Sequence, residues 1–130
     1  MEDLNKFIEG FDAYTDFLDD GEESKAENPT CFVKNGYEPL FITLVDALNQ
    51  AQSGKGVKCH ARKDEPFLDQ KIMEISRRVG LGGPAFQVVK KTEESLRSMD
   101  NDNPERAIED LLGAINYAAA MILLIEERSK

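Results

Sequence analysis

Residues 103 to 128 read NPERAIEDLLGAINYAAAMILLIEER, and this stretch decides the fold. Asn103 before Pro104 marks a helix start, because an asparagine oxygen can accept from the first turn and proline suits a position whose N–H has no helical partner. From Leu111 to Ile125 the segment is apolar nearly all round, with Asn116 inside it. A helix with so little polar face must be surrounded, so about 104–128 is expected to be a central or interface helix. Fifteen apolar residues holding an asparagine are short and polar for a bilayer crossing, so the expectation is a buried helix and no membrane partner.

Working outward, Ala85, Val88, Val89, Thr92, Leu96 and Met99 recur at helical spacing behind Pro84, which predicts a helix ending at the Asp100 to Asn103 run. Before it, Asp64-Glu65-Pro66 has the form of an N-cap with an acidic, proline-containing first turn. It leads a helix with Leu68, Ile72, Ile75 and Val79 as its apolar face. Gly80-Leu81-Gly82-Gly83 supplies the left-handed geometry that stops this helix after Arg77-Arg78. Glu38-Pro39 opens another, marked by Leu40, Phe41, Leu44, Val45, Leu48 and Ala51 through about Gln52. Leu4, Phe7, Ile8, Phe11, Tyr14 and Leu18 predict an amphipathic helix over 3–18, and residues 19–36 read as an acidic, partly mobile connection. No segment has strand period. The expectation is therefore an all-α protein of about five helices, one bundle domain over residues 1–130. Five helices cover the last one with difficulty while helix one adds an aromatic face, which predicts a homo-oligomer.

Charge is sorted along the chain. Residues 54 to 91 hold nine Lys/Arg against four Asp/Glu, whereas the whole chain of 130 residues carries a formal charge of −9. A net-acidic protein repels bulk nucleic acid, while a local basic patch within it can hold a small anion such as a phosphate. Met1-Glu2-Asp3 opens acidic with no apolar run behind a basic start, so the expected compartment is the cytoplasm. Cys31 and Cys59 lack the close pairing of a zinc or redox motif and read as reduced thiols, with no resident metal.

Four constellations carry possible chemistry. Lys55, Lys58, His60, Arg62 and Lys63, with Gly54 and Gly56, form a basic loop suited to phosphate, the bland alternative being a solvated loop. Arg77 and Arg78 precede a glycine turn and a helix start, where free N–H groups favour an anion; alternatively the glycines only cap a helix whose C-terminal dipole the arginines face. Glu93, Glu94, Glu109 and Asp110 lie on two successive helices, beside Lys90 and Lys91. Asn116 stands one residue before Tyr117 on the last helix, where an amide can meet a base edge and a ring can stack, or where Asn116 fixes helix register. Phe86 is a second candidate for holding a base.

Residues 88 to 123 resemble the helix pair of MazG-type all-α nucleotide pyrophosphohydrolases, whose first helix carries Glu-Glu-x-x-Glu and whose second carries Glu-x-x-Asp. Lys90-Lys91-Thr92-Glu93-Glu94 lies on the first motif with lysines in place of its first two acids. Glu109-Asp110-Leu111-Leu112-Gly113 lies on the second, with Gly113 where the last aspartate belongs. The resemblance implies a Mg²⁺-dependent enzyme using Glu94, Glu109 and Asp110. The substituted lysines instead suit direct phosphate binding through Lys90 and Lys91. The phrases Arg-Arg-Val-Gly-Leu-Gly and Leu-Gly-Ala-Ile-Asn-Tyr-Ala-Ala-Ala are also similar to small helical proteins encoded by bacteriophages, which implies a host cytoplasm and a part in nucleotide metabolism or anti-defence.

The leading expectation is non-enzymatic binding or sequestration of a small phosphorylated ligand, a nucleotide or nucleotide signal, with no cofactor. The alternatives are the divergent Mg²⁺-dependent pyrophosphohydrolase and an acidic nucleic-acid mimic that inhibits a host protein.

Overall fold

A computed structural model describes residues 33–54 and 65–129, so the expected helix over 3–18, most of the acidic connection, Cys31, Cys59 and the basic loop Lys55 to Lys63 lie outside the described residues. Among the described residues the structure is all-helical: α1 spans Glu38–Ser53, a 3-10 turn Phe67–Asp69, α2 Lys71–Val79, α3 Gly82–Asp100 and α4 Pro104–Arg128. The chain's contacts divide it into Met1–Ile42 and Thr43–Lys130. In the first unit Asn35-Gly36 makes the expected turn, with Gly36 at φ 92°. Its N–H donates to the Glu38 carboxylate at 2.9 Å.

α3 and α4 form an antiparallel hairpin packed along its length. Its turn is tight: Asp102 takes φ 61°, and the Asn103 side chain accepts from Arg106 N–H at 3.2 Å, the expected N-cap. The contact is made by small or polar groups, with Pro84 and Ser95 buried on α3 and Ala107, Asp110 and Ala114 buried on α4. Small side chains let the two axes approach closely, and Ser95 keeps its hydroxyl satisfied by donating to Thr92 O at 2.6 Å.

In an antiparallel pair, residues one step before the contact positions turn about 100° to one side of the hairpin in both helices, and residues one step after turn to the other. The first side is covered. Asn116 Nδ2 donates to Ala47 O at 2.9 Å and Gln50 Nε2 donates to Glu109 O at 3.0 Å, which ties α1 to α4. Beside Gly113 stand Gln50 and the stem of Lys91. Further along, Ile72 and Met73 of α2 pack with Ala120 and Leu124, joined by Phe67, Leu81, Tyr117 and Leu123. Met73 and Leu124 are fully buried, each worth roughly 1.5–3 kcal/mol relative to exposure. The other side is open: Val89, Leu96, Met99, Ile108, Leu111, Ile122 and Ile125 are all exposed.

Two expectations are corrected. α2 begins at Lys71, after the 3-10 turn, because Gln70 is extended at ψ 161° and breaks the helix. Gln70 is buried and its Nε2 donates to Glu65 O at 3.0 Å, which fixes that break. Its covered face is Ile72, Met73 and Ser76, while Leu68, Ile75 and Val79 of the expected stripe stay exposed. α3 starts at Gly82, two residues before Pro84, and its apolar stripe at Val89, Leu96 and Met99 faces away from the core. The stop at Gly80 is as expected, with φ 86° and its N–H donating to Ser76 O at 2.8 Å. α4 matches the expected span, and by length and composition alone it is long and apolar enough to cross a membrane.

Candidate functional site

Two features of the second unit have the chemistry to bind: a charged seam between α3 and α4, and an apolar groove beside it. In the seam, Lys91 projects from α3 with its ammonium 3.6 Å from Glu94 and 3.8 Å from Asp110 of α4. Asp110 is 3% exposed and Lys91 18%, so this pair is largely withdrawn from water. Arg106 Nε stands 4.0 Å from the same Asp110 oxygen, and Lys90 lies 3.4 Å from Glu94. Desolvation pushes the Glu94 carboxyl up, but the charge of Lys91 and the bond and charge of Lys90 together hold it below its ordinary value.

The ammonium of Lys91 thus stands between Glu94 and Asp110, two of the three acids the enzyme alternative uses. Glu109 is the third; its side chain is exposed and its backbone carbonyl accepts from Gln50. Among the described residues no three His, Cys, Asp or Glu side chains converge on a point fit for a metal ion. A divalent cation at Glu94 and Asp110 would have to displace the ammonium already there.

Arg77 is held elsewhere. Its Nε and Nη2 donate to Glu127 at 3.0 and 2.8 Å, and Nη2 also donates to Leu68 O at 2.8 Å. The paired hydrogen bond to Glu127 raises its pKa above the ordinary arginine value. Arg78 reaches Glu74 at 3.3 Å and is largely exposed. Glu127 follows Asp110 by 17 residues on α4, a separation of about 25 Å, so the Arg77 and Lys91 clusters do not converge.

Between those clusters lies the groove. Its volume is about 430 Å³, within the range of small-molecule sites, and its walls include Ile75 and Val79 of α2, Phe86 of α3 and Tyr117 of α4. Lys71 and Gln87 are polar residues of its lining, and Ser76 is buried in its wall. The Ser76 hydroxyl donates to Ile72 O at 2.5 Å, and Lys71 pairs with Glu74 at 3.2 Å on the exposed surface. The groove exists because α2 turns its 72, 73 and 76 face into the core and leaves Ile75 and Val79 beside the first turns of α3. Tyr117 and Phe86, singled out from the sequence, share this groove. Asn116 does not line it and spends its amide on Ala47 O. Lys71, Gln87, Ile75 and Val79 were missed as site residues, since period alone does not say which face of α2 is covered.

Among the described residues the fold is thus a helical hairpin with an aromatic-walled groove beside it. Comparison of this chain with protein-family models, curated proteins and solved structures finds no match.

Proposed function

We propose that this protein binds a small phosphorylated ligand, a nucleotide or nucleotide signal, as a non-enzymatic homo-oligomer in the cytoplasm. The observation that carries the reading is the meeting of Phe86 and Tyr117 in one groove of about 430 Å³. Aromatic walls favour a flat heterocycle through stacking, and the Gln87 amide in the lining offers both a donor and an acceptor to a base edge. Phosphates need cations, and Lys71 belongs to the lining. The sequence adds Lys55, Lys58, His60, Arg62 and Lys63 shortly before α2, outside the described residues. The role first expected for Lys90 and Lys91 is weaker in this reading, because neither lines the groove and Lys91 is held in the seam beside Asp110. A part in phage anti-defence, by sequestering a nucleotide signal, is the biological setting that the phage resemblance suggests.

Titration with a fluorescent ATP analogue tests the reading. Phe86→Ala and Tyr117→Ala each remove a stacking surface and are expected to weaken binding roughly 10-fold. Affinity should fall as salt rises, because charge supplies the phosphate contact. Unchanged affinity in both variants, with native helicity, would refute the groove as the site. Metal-dependent release of pyrophosphate that disappears in Glu94→Gln would replace this reading with the pyrophosphohydrolase.

A further inference from the structure

We propose that the open side of the α3–α4 hairpin is where a second copy of this chain docks, hairpin against hairpin, to close a four-helix bundle about a twofold axis. The proposal deepens the homo-oligomer part of the function above by assigning its surface, and it is independent of the ligand. The contact positions of the hairpin fix which residues form this side: Val89, Leu96 and Met99 from α3, and Ile108, Leu111 and Ile122 from α4. Each is between 43% and 63% exposed, although each is a large apolar side chain on a regular helix. A monomer gains nothing by exposing two parallel rows of this kind.

The area is of the right order. α3 has 19 residues, which makes the face about 28 Å long, and two helices side by side make it about 18 Å wide. That is roughly 500 Å² in projection, and surface relief carries the accessible area toward the roughly 800 Å² per partner that a stable complex buries. The chemistry also fits a dry interface. Thr92 is the polar residue within the α3 row, and its hydroxyl donates to Val88 O at 2.8 Å, so it brings no unmet donor into the contact.

The margins choose between a protein and a lipid surface. They carry Glu93, Asp100, Glu105 and Glu126 against Lys90 and Arg97, all exposed, so acids outnumber bases two to one. A face that lies on a membrane carries a basic margin facing anionic headgroups, whereas this acidic one would be repelled. A second copy offers each Arg97 an acid-rich margin to meet, and a twofold pairing satisfies both copies at once.

Sedimentation equilibrium of the full chain without nucleotide tests the assignment. The wild type is expected to be a dimer or an even multiple at about 10–100 µM. Leu96→Glu places an unpaired charge in the face and should weaken association roughly 100-fold or more. Ile108→Lys on α4 should do the same, and circular dichroism should show native helicity in both. Ile75→Glu, in the groove, should leave the mass unchanged, so loss of ligand binding and loss of dimer are separately visible. A wild type that stays monomeric overturns the proposal, as does a folded Leu96→Glu with wild-type mass. Flotation of the wild type, but not of Leu96→Glu, with anionic phospholipid vesicles would give the face to a membrane and overturn it too.

Discussion

Removing the Lys91 charge tests the seam that joins α3 to α4. Lys91→Met keeps most of the stem beside Gly113 and deletes the ammonium 3.8 Å from Asp110. Two charges at that distance attract by about 4 kcal/mol at an effective dielectric near 20 and by about 1 kcal/mol in water. Asp110 at 3% exposure lies toward the first limit and Lys91 at 18% somewhat toward the second. Arg106 retains part of the pairing, but it stands at 4.0 Å and is more than half exposed. The expected loss is about 2–3 kcal/mol, just below the range for breaking a fully buried pair, and the melting temperature should fall by about 10 °C. Urea unfolding followed by circular dichroism reads this directly. Replacing both partners, Lys91→Met with Asp110→Leu, should recover most of the loss, because the cost lies in leaving Asp110 unpaired. A single variant within about 0.5 kcal/mol of wild type, or a double variant no better than the single, would refute this account of the seam.

Other predictions follow from particular residues. At Gly113 an added methyl would meet Gln50 and Lys91 at 3.7 Å, ordinary contact, so Gly113→Ala should stabilise by about 0.5–1 kcal/mol through helix propensity, measured by urea midpoint. Gly80→Ala forces a side chain into φ 86° at the end of α2 and should destabilise by about 1–2 kcal/mol in the same assay. The Glu94 carboxyl titrates below its ordinary value of 4.5 when folded, so its contribution is present above that value and lost as pH falls through the lower folded one. Glu94→Gln should therefore flatten the acid limb of a stability-against-pH curve.

The helical class, the bounds of α4, the stop at Gly80 and the opening of α1 were legible because each rests on local chemistry: a proline in a first turn, an asparagine cap, a glycine with positive φ. Which face each helix buries was not. Val89, Leu96 and Met99 have the spacing of a core stripe, yet α3 meets α4 through Pro84, Ser95 and Lys91, because small side chains and a charge pair permit a closer approach than leucines do. On α2 the register slipped by one position. Met73 and Ser76 are inside while Ile75 and Val79 line a groove, a consequence of Gln70 breaking the helix and of Ser76 meeting its hydroxyl on Ile72 O. Of the candidate site, Phe86 and Tyr117 were visible as aromatics suited to holding a base. That they share a groove depends on tertiary packing, and so does the engagement of Lys91 by Asp110.

Native mass spectrometry of the purified protein with a pool of linear and cyclic nucleotides, with and without Mg²⁺, tests the central claim most directly. The account predicts an intact nucleotide retained in fixed stoichiometry without metal, and lost in Phe86→Ala. A protein that retains no nucleotide under either condition would contradict it.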